Sequence, residues 1–348
     1  MKRRKQSAGI ALLITLLVVT LLTIIVVEFT YSTNVEAHLT RNSLSAMQAR
    51  YLARAGLALG ELLLKLDFAA KSNDPQGAKA ETLFDSWAQH YPPTALGEDV
   101  GIAGFAIEDE SGRFNVNSLA IRPGVNPVTV ESRKTIFQGI LAALGLDTNL
   151  LFPVLDWLDA DDEVNGKNGA ERDYYQALIP PYEPRNGRAL TLDELALVRG
   201  FGDLTREQWV ELREVATMLP NEDLSINVNT ASERLLTAIL GTVDDAAAAK
   251  AIVAQRRDHP FLDMHDLNDM PGWSQLPPQV KGIFNLHSVY FTIHAVGVAA
   301  DVKRGIAALE RRAGLRLDMV DWREETVPVS LTSYGPSDGI NVFPSMTR

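Results

Sequence analysis

The N-terminus constrains this chain more than any other part of it. Four basic residues at positions 2–5 precede an uncharged apolar stretch, Ile10–Val27. As a helix this stretch is long enough to be a candidate for crossing the hydrocarbon core of a bilayer. Basic residues on the near side predict, by the positive-inside rule, a cytoplasmic N-terminus and a body on the other side of the membrane.

Three kinds of N-terminal segment combine basic residues with an apolar stretch. A secretory signal needs a small-x-small cleavage site after its apolar core, and the residues from Glu28 to Tyr31 make a poor one. An uncleaved membrane anchor also fits the hydropathy. The third kind has a small residue before the stretch, as Gly9 is here, and this order resembles the type IV prepilin leader. That resemblance implies cleavage by a prepilin peptidase between Gly9 and Ile10 and N-methylation of Ile10.

The charge of the chain disfavours polyanionic partners. The 348 residues leave room for more than one domain, and the net charge is −11. Removal of the basic leader would make the body more acidic still. Such a body is repelled by phosphate backbones and anionic lipid headgroups, which argues against nucleic acid as a partner.

The chain has no cysteine, so no disulfide can fasten a loop, and a bound metal is one remaining way to do so.

Residue periodicity predicts a long helix, a small sheet and several shorter helices. After Glu28, apolar residues recur at steps of mostly three or four, which extends the apolar helix to about Leu66. Alternating β-branched segments predict strands at Ile102–Asp109, Val289–Val298, Gly305–Arg312 and Leu315–Trp322, the last two joined at Ala313-Gly314. Glycine and proline endings predict helices at Glu131–Leu144, Asn149–Leu158, Leu192–Arg199, Arg206–Leu219, Ser232–Leu240 and Asp244–Arg257.

These elements predict an α+β fold class. A pilin-like N-terminal spine helix would pack on a small antiparallel sheet, and a large, mostly α-helical insertion would interrupt that sheet in sequence. The predicted organisation is a leader at 1–9, a transmembrane part of the spine helix at 10–27, the first part of a pilin-like domain at 28–114, the inserted domain at 115–284, the remaining strands at 285–327 and a C-terminal tail at 328–348.

The second half of the insertion, residues 226–285, resembles tandem helix-hairpin-helix repeats. A polar segment, 227–232, leads into the helix that ends before Gly241, and Pro271-Gly272 follows the next helix. In DNA-binding repeats, hairpin glycines let backbone amides reach a phosphate, and a basic face is also needed. Residues 221–286 carry nine acids and five bases. The repeat is therefore interpreted as a packing unit.

An acidic segment at 156–173 carries the richest chemistry of the chain. Seven carboxylates are opposed there only by Lys167 and Arg172. Such crowding costs Coulomb energy unless a cation neutralises it, and Ca²⁺ accepts six to eight oxygen ligands in flexible geometry. An EF-hand counted from Asp161 fits at Gly166 but fails at the twelfth position, where Arg172 replaces the bidentate Glu. A solvated acidic loop is the alternative.

The order of these features identifies a resemblance to one family. Ile14 stands where most pilin-like proteins carry a Glu, and the acidic loop and the repeat follow in the order of the K pseudopilins of type II secretion systems. Asp156 is expected on the helix before the loop. The resemblance implies a structural Ca²⁺ held by Asp159, Asp161, Asp162, Glu171 and Asp173, with the Val164 carbonyl as a further ligand.

The resemblance also implies a function. A K pseudopilin is a minor pseudopilin that caps the pseudopilus tip with minor pseudopilins I and J, packs beside other pseudopilins and supports pseudopilus initiation and export of folded proteins. It would be a single-pass protein of the bacterial inner membrane, with a cytoplasmic N-terminus and a periplasmic body. Two alternatives stay open: a membrane-anchored helix-hairpin-helix protein for DNA binding or uptake, and a minor pilin of type IV pili.

No residue pattern indicates an enzyme. The chain has no thiol nucleophile, no Gly-x-Ser-x-Gly sequence and no P-loop. The closest pair of histidines, His259 and His265, does not have the spacing of a zinc protease. We therefore expect no catalytic residue.

Overall fold

One helix forms the spine of the molecule. The computed structural model describes residues 4–73, 80–97, 100–120, 126–241 and 246–325. Helix α1 spans Arg4–Asn73, so it ends a few residues beyond the predicted Leu66. Its apolar segment is fully exposed, and α1 is the one described helix that is long and apolar enough to cross a membrane. The hydroxyl groups of Thr15, Thr20 and Thr23 donate to carbonyl oxygens of the preceding turn, which satisfies them without water.

A five-stranded antiparallel sheet packs against the C-terminal half of α1. The strand order is β1-β2-β7-β8-β9, with β1 at Thr94–Ala95, β2 at Ile102–Asp109, β7 at Tyr290–Ala299, β8 at Val302–Ala313 and β9 at Arg316–Glu325. β2 pairs with β7 from Ile102↔Val298 to Asp109↔Phe291. The prediction of a long N-terminal helix with an antiparallel sheet is thus confirmed, and the turn at Gly314 has the left-handed φ of 68° that favours glycine.

The core between α1 and the sheet depends on close backbone approach. Apolar side chains from both elements, including Leu57, Leu64 and Ile293, are buried there. A Cβ atom at Gly297 on β7 would lie 2.0 Å from the Ala49 carbonyl oxygen of α1. Gly297 is therefore required by its proximity to the helix rather than by its own backbone angles.

The insertion between β2 and β7 is mostly helical. Its helices are α2 (Pro127–Ala143), α3 (Leu151–Leu158), α4 (Arg172–Gln176), α5 (Arg206–Val215), α6 (Glu233–Gly241), α7 (Ala246–Asp258) and α8 (Pro278–Lys281). Two parallel strand pairs join its parts: β3 (Phe114–Asn115) with β4 (Ala216–Thr217), and β5 (Ile226–Asn227) with β6 (Phe284–Asn285).

Several predicted helices differ from the structure: α2 begins at Pro127 rather than Glu131, α3 begins at Leu151 rather than Asn149, and two others differ more clearly. The helix predicted to run to Leu219 ends at Val215, because the next two residues form β4 and pair with β3. The segment Leu192–Leu197 is a 3₁₀ helix rather than an α-helix. Tertiary pairing overrides local propensity at the first of these two places.

Two parts of the predicted organisation depend on residues that the structure does not describe. Helices α6 and α7 pack on each other, but the residues that would form the hairpin between them, 242–245, lie outside the described residues. The helix-hairpin-helix repeat therefore stays a prediction. The C-terminal tail, 328–348, also lies outside the described residues.

A buried polar network joins the insertion to the sheet. The Asp109 carboxylate, at the end of β2, accepts hydrogen bonds of 2.5 Å from the hydroxyl groups of Thr230 and Ser288. The Asn227 amide donates to the Ser288 hydroxyl oxygen at 2.8 Å and to the Glu81 carbonyl oxygen at 3.0 Å. The network thus joins residues of the insertion to the strand ends on both of its sides.

Substitution of Gly297 by Ala tests the contact between α1 and β7. We expect Gly297→Ala to lower the free energy of unfolding by about 2 kcal/mol, because the new methyl group meets helix backbone that must shift. Guanidinium denaturation of the full chain in detergent measures this. Gly241→Ala is the matched control, since nothing lies within 4 Å of its new Cβ. Equal stabilities of the two variants would contradict the packing argument.

Candidate metal centre

Helix α3 presents two carboxylates to the acidic loop. Asp156 and Asp159 are three residues apart, so they lie on one side of the helix end. Asp156 is fully buried beside the buried Trp157. Asp159 is the C-cap of α3, with an extended backbone and its N–H bonded to the Leu155 carbonyl oxygen at 2.9 Å. The chain leaves the helix at Asp159 and enters the loop.

Two glycines let the loop return to the helix. Gly166 has a left-handed φ of 58° and packs on the Phe152 ring, where a Cβ would lie 2.7 Å from a ring atom. Gly169 is tighter, because a Cβ there would lie 2.3 Å from Asp156 Oδ2. The chain can therefore pass directly over Asp156 and bring Glu171 back to the end of α3.

The result is a cluster of three carboxylates, which we call the acidic cluster: Asp156, Asp159 and Glu171. One oxygen atom of each lies within 4.8 Å of the others. Asp156 and Glu171 are buried, and Asp159 is half-buried. None of the described lysine or arginine side chains forms an ion pair with them. Arg172, the nearest cation in sequence, pairs instead with Glu183 at 3.0 Å.

Hydrogen bonding satisfies only part of the acidic cluster. Asp156 accepts from the backbone N–H groups of Asn165 at 2.9 Å and Ala170 at 2.5 Å. Asp159 Oδ2 accepts from the Asn165 amide at 3.1 Å. Asp159 Oδ1 and both Glu171 oxygens are buried without a hydrogen-bond partner. Since buried polar atoms are normally paired, a cation is the partner that this donor set fits.

The pKa values of the acidic cluster follow from the same geometry. Burial, followed by the charges of the neighbouring carboxylates, raises the pKa of Glu171 to about 8 and that of Asp159 to about 6. Burial also raises the pKa of Asp156, although the N–H groups of Asn165 and Ala170 oppose the rise. Burial is the main cause of these shifts and the crowding of carboxylates adds to it, so a divalent cation, which hard oxygen ligands suit, would favour the ionised forms.

The structure brings together two of the residues expected as ligands and adds a third carboxylate. Asp159 and Glu171 belong to the acidic cluster together with Asp156, which lies on α3 as predicted but was not expected as a ligand. The signal was present in the sequence as the i, i+3 spacing of Asp156 and Asp159. Spacing alone does not show which carboxylates of a loop turn inward.

The other proposed ligands lie outside the acidic cluster. Asp161 is exposed and accepts from the Glu163 N–H at 2.9 Å, while Asp162 lies 3.9 Å from an Arg172 nitrogen. Asp173 is exposed in the first turn of α4, and Val164 is an exposed loop residue. Cation ligation by these four residues stays a prediction.

A second cluster of three carboxylates has its negative charge compensated by basic side chains. Asp67, Glu81 and Asp85 also lie within 4.8 Å of one another. Here the Lys71 ammonium group lies 3.0, 2.7 and 2.5 Å from the three carboxylates, and Arg312 pairs with Glu81. This group is an internal ion-pair network at the end of α1 and has no need of a metal.

The residues expected to be processed lie on the exposed N-terminal part of α1. Gly9, Ile10 and Ile14 are all exposed, and nothing lies within 4 Å of a Cβ built at Gly9. A substitution at Gly9 therefore leaves the rest of the structure undisturbed.

This is an α+β protein whose N-terminal helix is a candidate single-pass membrane anchor and whose sheet is interrupted by a helical insertion. Two family models, both described as type II secretion system (T2SS), protein K, match residues 112–221 and 226–287. The chain belongs to the type II secretion system protein K family.

Individual relatives agree with this assignment. The type II secretion system protein K of Pseudomonas aeruginosa is 31% identical over 259 residues, which cover 73% of this chain and 74% of the relative. That of Pectobacterium carotovorum is 32% identical over 290 residues, covering 80% and 83%. A solved structure, described as the GspK-GspI-GspJ complex from the enterotoxigenic Escherichia coli type 2 secretion system, matches with a TM-score of 0.69 at 18% identity. It covers 82% of this chain and 99% of that chain, and it shows the same fold.

Family membership supports a minor pseudopilin role in protein secretion. The family is one of structural subunits of the secretion system rather than known enzymes. The candidate functional features of this chain are accordingly the apolar segment of α1 and the acidic cluster.

The raised pKa of Glu171 predicts a pH dependence in the absence of metal. In the unfolded chain this carboxyl ionises near 4.5, and in the folded chain at about 8. The unfolded state thus loses its proton first, and the folded state loses stability as the pH rises through this window. We expect the free energy of unfolding in EGTA to fall more steeply with pH for the native chain than for Glu171→Gln. Parallel curves from chemical denaturation would contradict this.

Proposed function

We propose that this protein is a minor pseudopilin at the tip of the type II secretion pseudopilus, in a complex with minor pseudopilins I and J. There it supports pseudopilus initiation and the export of folded proteins across the outer membrane. The observation that carries this proposal is the family match across the insertion, combined with the fold shared with a subunit of a solved GspK-GspI-GspJ complex.

The position at the tip is argued from bulk and from one missing charge. The insertion between β2 and β7 is a large helical mass attached to a sheet of only five strands. Such a mass is difficult to place within a shaft of closely packed helices. Ile14 also removes the carboxylate with which most pilin-like subunits attract the terminal amine of a neighbour. Both features suit the last subunit of a fibre better than an internal one.

The proposed topology follows from α1. The peptidase removes residues 1–9 on the cytoplasmic side of the inner membrane, Ile10 becomes the methylated N-terminus, and the body lies in the periplasm. Beyond the apolar segment, one side of α1 packs on the sheet while Leu39, Met47 and Tyr51 are exposed. That exposed side is available to the helices of other pseudopilins.

We also propose that the acidic cluster binds a structural Ca²⁺. Asp156, Asp159 and Glu171 would supply ligands, and Asp161, Asp162, Asp173 and the Val164 carbonyl are the remaining candidates. The unpaired buried oxygens of Asp159 and Glu171 support this. When bound, the ion supplies the positive charge that lets these carboxylates stay ionised while buried, and so it fastens the loop to the end of α3.

Leader processing is tested by substitution of Gly9. We expect membrane-extracted native protein to start at N-methyl-Ile10 and Gly9→Ala to keep its leader, because the peptidase resemblance depends on that glycine. Intact mass and N-terminal sequencing, in cells with an active prepilin peptidase, measure both. Cleavage of Gly9→Ala between residues 9 and 10 would overturn the peptidase assignment, and an uncut native chain would leave an ordinary membrane anchor.

The position at the tip is tested on pseudopili. We expect immunogold label against this subunit at fibre ends only, and the pattern should be the same for Ile14→Glu, since a restored carboxylate has no further subunit to recruit there. Copurification with minor pseudopilins I and J provides the second measurement. Label along the shaft would contradict the proposal. Mobility-shift binding of DNA at physiological salt would instead favour the DNA-uptake alternative.

Calcium binding is tested by proteolysis and thermal unfolding of the full chain. We expect chelation to expose the segment 159–173 to protease and calcium to protect it. Glu171→Gln should lose most of this protection, because the variant removes a buried ligand charge. Glu163→Gln is the matched control, since Glu163 is an exposed loop acid outside the acidic cluster. Identical cleavage patterns with and without chelator would overturn the calcium proposal.

A further inference from the structure

Arg199 connects the acidic cluster to a distant part of the insertion. It follows the 3₁₀ helix Leu192–Leu197 and is half-buried. Its Nη1 atom donates to the Gly169 carbonyl oxygen at 3.1 Å, and its Cζ atom lies 4.6 Å from the centre of the Tyr174 ring. The Arg199 backbone N–H also donates to the Tyr175 hydroxyl oxygen at 3.3 Å. One residue therefore contacts the chain on both sides of Glu171.

The position of Gly169 determines how the loop contacts Asp156 and where Glu171 lies. Gly169 passes so close to Asp156 that no Cβ fits there, and the next residue, Ala170, donates its N–H to Asp156 Oδ2 at 2.5 Å. Glu171 comes directly after and is the N-cap of α4. A shift at Gly169 would therefore misplace both the hydrogen bond on Asp156 and the side chain of Glu171.

Arg199 acts on this point through geometry rather than through an ion pair. Among the described residues, the Arg199 guanidinium forms no salt bridge with the acidic cluster; its contacts are the Gly169 carbonyl oxygen and the Tyr174 ring. A planar guanidinium can stack on an aromatic ring while one N–H points to a fixed acceptor, whereas a flexible ammonium group cannot fix both directions.

We propose that Arg199 is a positioning residue of the acidic cluster: by bonding the Gly169 carbonyl while stacking on Tyr174, it sets the loop so that Glu171 and Asp156 converge on one cation. This inference rests on the proposed calcium site. Outer partners that orient metal ligands typically change metal affinity by about 10–100-fold when they are removed.

The test compares calcium affinity among four full-length proteins in detergent. They are the native chain, Arg199→Met, Arg199→Lys and the matched control Arg213→Met. Arg213 also lies over an aromatic ring, 5.4 Å from the Trp209 ring centre, and it bonds Asp193, but it contacts no residue of the acidic loop. Calcium alone is the probe, and isothermal titration gives Kd, with the melting temperature in EGTA recorded for each variant.

We expect Arg199→Met to bind calcium about tenfold more weakly than the native chain, with Arg213→Met unchanged. Arg199→Lys keeps the positive charge and should fall between the two, which separates geometry from charge. The melting temperatures in EGTA should differ little between the two Met variants, because a general structural role would lower stability without calcium as well. If Arg199→Met does not fold, Arg199→Lys carries the comparison.

The possible outcomes distinguish a positioning role of Arg199 from calcium binding by the acidic cluster itself. Native binding with equal Kd values for Arg199→Met and Arg213→Met would overturn the positioning role and leave the calcium site standing. Tighter binding by Arg199→Met would also overturn it, since charge repulsion would then be the main effect of Arg199. Absence of calcium binding by the native chain would overturn both.

Discussion

The pairing of β2 with β7 is the contact on which the rest of the structure depends. These strands lie on opposite sides of the insertion in sequence, yet β2 pairs with β7 over its full length. The insertion must therefore begin and end at nearly the same place. The Asp109 network at the strand ends, where the Thr230 and Ser288 hydroxyl groups meet one carboxylate, satisfies the polar groups buried by that constraint.

Two carboxylate groups of this chain differ in how their charge is compensated. At the end of α1, Lys71 is an internal cation for three acids. At the end of α3, the acidic cluster lacks such a residue among the described side chains, and three of its oxygens are buried without donors. The internal ammonium group compensates part of the negative charge of the first site. The other site has no such cation among the described residues, and burial together with the neighbouring carboxylates raises the pKa of Glu171 there to about 8.

The sequence predicted the repetitive parts of the structure better than the irregular ones. The strand at Ile102–Asp109 has the predicted bounds, because alternation reports directly on a half-buried sheet. The helix predicted to reach Leu219 stops at Val215, since pairing between β3 and β4 depends on residues far away in sequence. In the acidic cluster, Asp156 was missed as a ligand candidate for a related reason. Its role depends on Gly166 and Gly169, which return the loop to α3, and spacing does not record that return.

The unbroken course of α1 has a mechanical consequence. Kinks in helices arise mainly at proline or at similar interruptions, and α1 contains no proline between Arg4 and Asn73. Gly56 and Gly60, the glycines in its second half, are in direct contact with the sheet. A force along the helix axis near the N-terminus of α1 would therefore reach the sheet without passing a proline kink. Such a force would enter the sheet where Gly297 of β7 contacts the backbone of α1.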